Sequence, residues 1–162
     1  MLDHLHRCLT IWLAPALCFT AEEAWTARFG EHDSVHLQLF PDLPASWRDN
    51  ALAAKWDTIR TIRRRITVPI EEARATKTIG ASLQAAVTLK LAPDEALLLS
   101  DAEWAEVAIV SSVHAVAGTG DDNAAVSLAP GEKCVRCWKV LPEVGTNAAH
   151  PGLCLRCVEV VG

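Results

Sequence analysis

Several features are scarce in this 162-residue sequence, and each scarcity excludes a class of protein. No stretch approaches the roughly 20 consecutive apolar residues that cross a bilayer, so we expect no membrane-spanning helix. Lys and Arg number 15 against 20 Asp and Glu, which argues against a surface that coats nucleic acid without selectivity. Low-complexity segments are missing and hydrophobic residues make up 51% of the chain, which excludes a disordered protein.

The sequence patterns of common catalytic sites are also missing. No Ser/His/Asp or Cys/His arrangement for nucleophilic attack has support in the sequence. The segment "GTGDDN" (118–123) has too few glycines, badly placed, for a phosphate-binding loop, and it is predicted to be a turn. The pair Glu71 and Glu72 is interpreted as a solvated helix face. We therefore expect no catalytic residue in this chain.

The N-terminal stretch "MLDHLHRCLTIWLAPALCFTA" superficially resembles a secretory signal. Asp3 cancels the charge of Arg7, however, and Pro15 interrupts the apolar run. The large apolar residues fall at helical spacing, which favours a core-facing helix: Leu2, Leu5, Leu9, Trp12 and Leu13. Vicinal cysteine pairs without a secretion signal favour a reducing compartment, so a cytoplasmic protein is expected.

Two further helices are predicted in the first 80 residues. Thr20 and Glu23 form a capping pattern that would start a helix near Ala21, and this helix should end around Gly30. A longer helix should begin near Asp49, be kinked or broken by Pro69, and resume until Gly80. Its predicted inner face contains Leu52, Trp56, Ile59, Ile62 and Ile66. Cys8 and Cys18, in the N-terminal apolar stretch, are interpreted as buried core thiols.

Residues 81–130 change to strand-like patterning. Strands are predicted in "ASLQAAVTLKL" (81–91), "EVAIVSSVHAV" (106–116) and "AAVSLAP" (124–130), with an acidic helix in "PDEALLLSDAEWAE" (93–106). The sequence therefore predicts a multi-module α+β protein. Its parts are a helical domain over 1–80, a small α/β module over 81–130 and a cysteine-containing module over 131–162.

The last module contains two cysteine pairs, Cys134 with Cys137 and Cys154 with Cys157. Two residues separate the members of each pair, and this spacing is typical of a structural zinc site with four thiolate ligands. Disulfides, or a redox or iron–sulfur role, are the alternatives. Because four sulfurs fill the coordination shell, a bound zinc ion would stabilise the fold and would leave no position for a catalytic water.

Two groups of residues are candidates for contact with a partner. Around the cysteines lie Lys133, Arg136, Lys139 and Arg156, which either screen the thiolate charge or bind a partner. Trp138 follows the second ligand and either packs against a neighbouring module or offers a surface on which an unpaired base can stack. The densest basic group lies in the long helix and after it, and is either a solvated face or a phosphate-binding surface: Arg60, Arg63, Arg64, Arg65, Arg74 and Lys77.

The order of the segments resembles the C-terminal part of bacterial isoleucyl-tRNA synthetases. The resemblance rests on "LAPALCFTAEEAW", "SVHLQLFP", "IEEARATKTIGASLQAAVTL", "VSSV", "GEKCVRCW" and "LCLRC", in this order. It implies an anticodon-binding helical domain, a small α/β junction and a terminal zinc module, in a part of the enzyme that recognises the isoleucine transfer RNA; the zinc module either contacts the RNA or only braces the helices. In that family the catalytic domain of the same enzyme joins isoleucine to the transfer RNA with ATP, so that domain is a second expected partner.

The chain departs from the family in two ways. The His-Ile-Gly-His and Lys-Met-Ser-Lys-Ser signatures and the editing domain are absent, so we expect this chain alone to be inactive. The resemblance also places further helices of the family ahead of this start, so we expect the chain to be an excised C-terminal fragment that begins partway through the helical bundle. The leucine face of its first helix is then expected to lack natural partners and to promote association.

Two other readings remain open at this point. A zinc finger of similar cysteine spacing ends certain DNA-repair glycosylases, but those enzymes need an N-terminal catalytic proline and a strand-rich domain before the finger. A stand-alone protein that binds transfer RNA in trans would use the same residues as a synthetase fragment. The length of the natural open reading frame distinguishes this last reading. Binding to DNA or to a membrane is not expected.

Overall fold

The computed structural model describes residues 1–118 and 124–161. The chain divides into two compact units, Met1–Asp49 and Asn50–Gly162. The three-domain division at residues 80 and 130 rested on changes in patterning and stays a prediction. Most of the turn predicted over 118–123 lies outside the described residues.

The first unit consists of two helices and the loop that follows them. Helices α1 (Leu2–Leu13) and α2 (Cys18–Phe29) pack through a small core whose largest member is Trp25. Glu22 of α2 holds the loop in place, because its Oε2 atom accepts hydrogen bonds from Ser34 Oγ and Val35 N, both at 2.9 Å. This brings the short 3-10 helix Val35–Leu37 onto the same core.

Helix α2 begins earlier than the capping pattern predicted. Its first residue is Cys18, and Leu17 at the N-cap provides no side-chain hydrogen bond. The N–H of Leu17 donates to Leu13 O at 2.8 Å, so the chain turns tightly after α1 and enters α2 before reaching Thr20. The prediction that Thr20 and Glu23 start this helix was therefore wrong.

The apolar stripe of α1 is exposed, contrary to the prediction of a core-facing helix. The buried residues of α1 are Cys8, Thr10 and Ile11, because α2 packs on that side of the helix. The predicted core residues Leu2, Leu5, Leu9, Trp12 and Leu13 are all exposed. Cys8 is buried as predicted, whereas Cys18, at the start of α2, is exposed, and its assignment as a core thiol was wrong.

The second unit packs a long helix and a short one against a three-stranded sheet. Its elements are α3 (Asn50–Ala75), β1 (Ala85–Leu91), α4 (Asp101–Ala108), β2 (Ser112–Ala117) and β3 (Ala124–Leu128). The strand order is β2-β1-β3, with β1 parallel to β2 and antiparallel to β3. The central strand β1 alternates buried and partly or fully exposed residues, and its inner face meets the isoleucines of α3 and Trp104 of α4.

Two predictions for α3 were wrong, its end and part of its inner face. Of the kink or break predicted at Pro69, the break is excluded, since the helix continues through the proline with Ile66 and Ile70 buried on either side. It ends at Ala75 and not at Gly80, because Lys77 adopts a left-handed backbone conformation and the N–H groups of Thr78 and Ile79 turn back to Ala73 O. Leu52 and Trp56 were placed on the inner face but are exposed, since the core begins at Ile59.

The α/β region matches the predicted order of elements with shifted boundaries. The third predicted strand is confirmed as β3, and the first as β1, preceded by the 3-10 turn Ser82–Gln84. Residues 106–108 were predicted as strand but belong to α4, whose N-terminus is capped reciprocally by Ser100 and Glu103. No helix in the described ranges is both long and apolar enough to cross a membrane.

Candidate metal centre

The first cysteine pair lies in a tight hairpin. Strands β4 (Glu132–Lys133) and β5 (Val140–Leu141) pair antiparallel on either side of it. Between them, Cys134 N donates to Lys139 O and Trp138 N donates to Cys134 O, each at 2.9 Å. These bonds close a compact turn that brings the Cys134 and Cys137 sulfurs to one side of the hairpin.

The second pair begins the last helix and faces the first pair. Cys154 precedes helix α5 (Leu155–Val161), which contains Cys157, and Cys157 N donates to Cys154 O at 2.9 Å. The two knuckles are joined by Val135 N, which donates to Gly152 O at 3.0 Å. Cys154 N also lies 3.4 Å from Cys134 Sγ, an N–H contact to sulfur that is common around thiolate ligands.

The four sulfurs are arranged as a metal site requires. All lie within 4.8 Å of one another, and Cys137 Sγ is 3.7 Å from Cys154 Sγ. Zn–S bonds of about 2.3 Å in a tetrahedron separate neighbouring sulfurs by about 3.8 Å, so the cluster has the size that a zinc ion requires. Cys134, Cys154 and Cys157 are buried and Cys137 is partly buried. Four thiolates complete the shell, and the predicted cofactor, one structural Zn²⁺, is supported.

The thiols differ in how readily they lose a proton. Burial raises the pKa of Cys154 to about 12. Burial acts in the same direction at Cys134, but the N–H groups of Cys137, Cys154 and Arg136 outweigh it and bring the Cys134 pKa to about 6. Zinc binds thiolates, so loading the site near neutral pH must displace the proton of Cys154.

The basic residues around the cysteines have different surroundings. Arg136 NH1 lies 3.6 Å from Cys157 Sγ and screens the thiolate charge directly. Lys139 Nζ and Arg156 NH1 instead contact Glu106 Oε1 of α4, at 2.8 and 3.2 Å. The hydrogen bond from Lys139 lowers the pKa of the Glu106 carboxyl, which stays ionised near neutral pH. Two of the predicted partner-binding cations thus fasten the module to its neighbour.

Trp138 is presented outward beside the metal centre. Its backbone φ is 67°, in the left-handed region that bulky residues avoid, and its side chain is 59% exposed. Lys133 Nζ lies 5.4 Å from the centre of its ring, within range of a cation–π contact. Two roles were expected for Trp138, packing against a neighbouring module or stacking on an unpaired base. Its exposure favours stacking.

The basic group of the helical region separates into paired and unpaired side chains. Arg65 forms two hydrogen bonds with Glu95, and Arg63 Nε donates to Val107 O at 2.8 Å. Arg60 pairs with Asp57 and Arg74 with Glu71 on the helix surface. Arg64 and Lys77 are exposed, and neither has a side-chain hydrogen bond or ion pair to a residue of the described ranges.

Three residues of this region were not singled out from the sequence. Glu106 receives Lys139 and Arg156, Ser111 bonds to the backbone of β5, and Gly131 lies against the peptide between Leu141 and Pro142. Glu106 stood at the end of the stretch predicted to be an acidic helix, and Ser111 lay in the quoted "VSSV". These residues were missed because each makes a single long-range contact, and such contacts leave no periodic pattern in the sequence.

Comparison with known proteins identifies both ends of the chain. Residues 1–89 match the family described as the anticodon-binding domain of tRNA ligase, and residues 131–160 match the zinc finger found in FPG and IleRS. The isoleucine–tRNA ligase of Gluconobacter oxydans is 53% identical over 164 residues, covering 99% of this chain. Those of Agrobacterium fabrum and Zymomonas mobilis are each 40% identical, covering 94% and 100% of it.

The matched region is a small part of each relative. The chain spans 17% of the length of each of these three relatives. The match over residues 1–89 covers more than half of the chain and confirms the resemblance inferred from its motifs. The chain belongs to the family of anticodon-binding domains of tRNA ligases.

Proposed function

We propose that this chain is the tRNA-reading part of an isoleucine–tRNA ligase and binds the isoleucine transfer RNA. The names of relatives up to 53% identical support this specificity, and the family match over residues 1–89 supports an anticodon-binding role. In this proposal the catalytic domain of the same enzyme performs the ATP-dependent ligation, and this chain acts by binding. The cellular location is the cytoplasm, where transfer RNA is charged.

The observation that carries the proposal is the exposed Trp138 beside the zinc centre. Anticodon loops are read by splaying bases onto aromatic rings, and one stacked base contributes about 1–3 kcal/mol. A non-glycine residue in the left-handed region costs on the order of 1–3 kcal/mol, so a role for this side chain would explain why the position is not glycine. The zinc-bound turn on which Trp138 lies would hold the ring in place for such stacking.

The proposed phosphate contacts are the candidate cations that form no ion pair with a described residue. Arg64 and Lys77 are exposed without a partner in the described ranges, and Lys133 lies beside the Trp138 ring, where a phosphate would follow a stacked base. The other candidates would first have to release a contact within the chain: Arg60, Arg63, Arg65, Arg74, Arg136, Lys139 and Arg156. We assign these a smaller share of RNA binding.

The comparisons bear on one of the two alternatives, a DNA-repair glycosylase finger, but not on the other, a stand-alone tRNA-binding protein. The zinc-finger match is shared with FPG, so the cysteines alone do not exclude a finger of that type. The separate match of residues 1–89 to an anticodon-binding domain has no place in that reading and favours the ligase. A stand-alone tRNA-binding protein would use the same surface, and sequencing the complete open reading frame distinguishes it from a ligase segment.

Replacing Trp138 by Ala tests the proposal. The zinc-loaded variant should bind isoleucine transfer RNA about 5- to 100-fold more weakly, which corresponds to the loss of one stacked base. Val135→Ala is the matched control, since it removes an exposed apolar side chain from the same knuckle. Equal affinity of Trp138→Ala and the unsubstituted chain would remove stacking on this ring from the proposal.

A further inference from the structure

Ser111 lies where three segments of the second unit meet. It lies just before β2 and is almost fully buried, and its backbone N–H donates to Ala85 O of β1 at 3.1 Å. Its hydroxyl donates to Leu83 O at 2.5 Å and accepts from Val140 N of β5 at 2.7 Å. The buried hydroxyl thus connects the turn before β1 to the hairpin that holds two zinc ligands, and the backbone N–H of the same residue bonds to the sheet.

A second connection lies on the α4 side of the same junction. Glu106 Oε1 receives both Lys139 Nζ and Arg156 NH1, one residue from each zinc knuckle. Lys139 precedes Val140, the residue bonded to Ser111, so both attachments converge on the same end of the hairpin. The Lys139 side chain is 15% exposed and that of Glu106 is 57% exposed, so solvent still screens part of this ion pair.

We propose that Ser111, supported by Glu106, is a positioning residue that fixes the orientation of the zinc module on the α/β module and thereby presents Trp138 to RNA. The inference rests on the proposed function for its RNA part. Zinc shapes each knuckle internally, but none of the four thiolates bonds to the sheet in the described residues. The orientation of the module therefore depends on contacts outside the metal shell, and the buried hydroxyl provides the most specific of these.

The predicted consequence is a loss of orientation without a loss of metal. Without the hydroxyl, Val140 N–H has no acceptor at the junction, and a buried unsatisfied donor opens more often. The turn around the metal keeps its own bond from Cys134 N to Lys139 O and should remain closed. The Trp138 ring would then adopt a wider range of orientations in the free chain. Because more conformational entropy is lost when a base stacks on it, binding is weaker although no phosphate contact is removed.

The test compares Ser111→Ala with Ser111→Thr, which keeps a hydroxyl, and with Ser112→Ala as the matched control. Ser112 is the next residue, is partly buried, and its side chain forms no hydrogen bond within the described residues. Each zinc-loaded chain is assayed for zinc content, amide hydrogen exchange of Val140 and Cys134, and affinity for isoleucine transfer RNA at two salt concentrations. Glu106→Gln is the second variant, for use if Ser111→Ala does not fold.

Ser111→Ala should retain one zinc per chain, exchange the Val140 amide at least about tenfold faster with Cys134 unchanged, and bind RNA several-fold more weakly with an unaltered salt slope. Ser111→Thr should restore affinity, and Glu106→Gln should shift it in the same direction as Ser111→Ala. Unchanged Val140 exchange would overturn the inference, as would faster exchange with unchanged RNA affinity. If the unsubstituted chain binds no transfer RNA, the proposed function fails, whereas faster Val140 exchange would still establish the attachment.

Discussion

Arg65 holds Glu95 with two hydrogen bonds, from NH1 to Oε2 at 3.0 Å and from NH2 to Oε1 at 2.6 Å. Glu95 also accepts from Ala92 N at 3.0 Å, so its carboxylate joins α3 to the segment that follows β1. The side chain of Glu95 is only 15% exposed. This arginine was a candidate RNA contact, and the structure gives it a role within the fold.

The pair predicts a pH-dependent contribution to stability. The Arg65 hydrogen bonds lower the Glu95 pKa below its ordinary value of 4.5, so the stabilisation is complete above that value and is lost as pH falls through the lowered pKa. Glu95→Gln should reduce the free energy of unfolding at neutral pH by about 1–3 kcal/mol, and the difference should vanish in acid. Denaturant unfolding at several pH values measures it.

The control for this prediction is Glu71→Gln. Glu71 pairs with Arg74 on the exposed surface of α3, where an ion pair contributes only about 0–1 kcal/mol. A Glu95→Gln variant as stable as Glu71→Gln at neutral pH would show that the pair with Arg65 adds nothing to the fold.

Substitutions at two glycines of the zinc module distinguish the cost of a steric clash from the cost of backbone strain. Gly131 and Gly145 both have positive φ, at 105° and 98°. A Cβ at Gly131 would lie within van der Waals overlap of Leu141 C and O, whereas nothing lies within 4 Å of one at Gly145. Gly145→Ala should therefore cost only about 1–2 kcal/mol, and Gly131→Ala clearly more.

Thermal unfolding of the zinc-loaded variants, followed by zinc release, measures the difference. Similar losses for the two glycine variants would mean that the chain can move away at Gly131, and that its close approach to the peptide between Leu141 and Pro142 is not required.

Removal of zinc should unfold one module and spare the rest. The metal-free cysteine segment contains only a small apolar cluster around Val144, whereas the isoleucine face of α3 packs on the sheet without any help from the metal. Structural zinc contributes on the order of 10–16 kcal/mol to modules of this kind. On chelation, amide NMR signals of residues 132–141 and 153–161 should collapse and signals of β1 should persist. Retention of both sets would contradict a structural role for the metal.

Arg64 tests the phosphate contacts. Arg64→Gln should weaken binding to transfer RNA. It should also reduce the magnitude of the slope of log affinity against log salt by about 0.7–0.9, the contribution of one phosphate contact. Arg60→Gln is the matched control, because Arg60 already pairs with Asp57, three positions earlier on the same helix surface. An unchanged slope in Arg64→Gln would remove Arg64 from the RNA interface.

The parts of the structure that the sequence predicts are those encoded by local spacing. The four zinc ligands follow from two short spacings, and the inner face of α3 from Ile59 to Ile66 follows from helical periodicity. The leucine stripe of α1 shows a limit of predictions from periodicity. It identifies an apolar face correctly but carries no information on whether a neighbouring element covers it.

Long-range partners were not predictable for a related reason. Lys139 and Glu106 are 33 residues apart, and Val140 and Ser111 are 29 apart, so each contact depends on how separate elements pack. The same packing decides that residues 106–108 extend α4, although the strand-like residues that follow them led us to include them in a strand. These contacts determine where the zinc module lies, and only the folded structure reveals them.

The most direct test of the account is a titration of the zinc-loaded chain against the transfer RNAs for isoleucine and for valine at two salt concentrations. Recognition of the anticodon predicts tighter binding of the isoleucine transfer RNA, with a preference that persists as salt weakens both complexes. Equal, weak and salt-sensitive binding of the two RNAs would contradict it and would leave only a general electrostatic affinity for RNA.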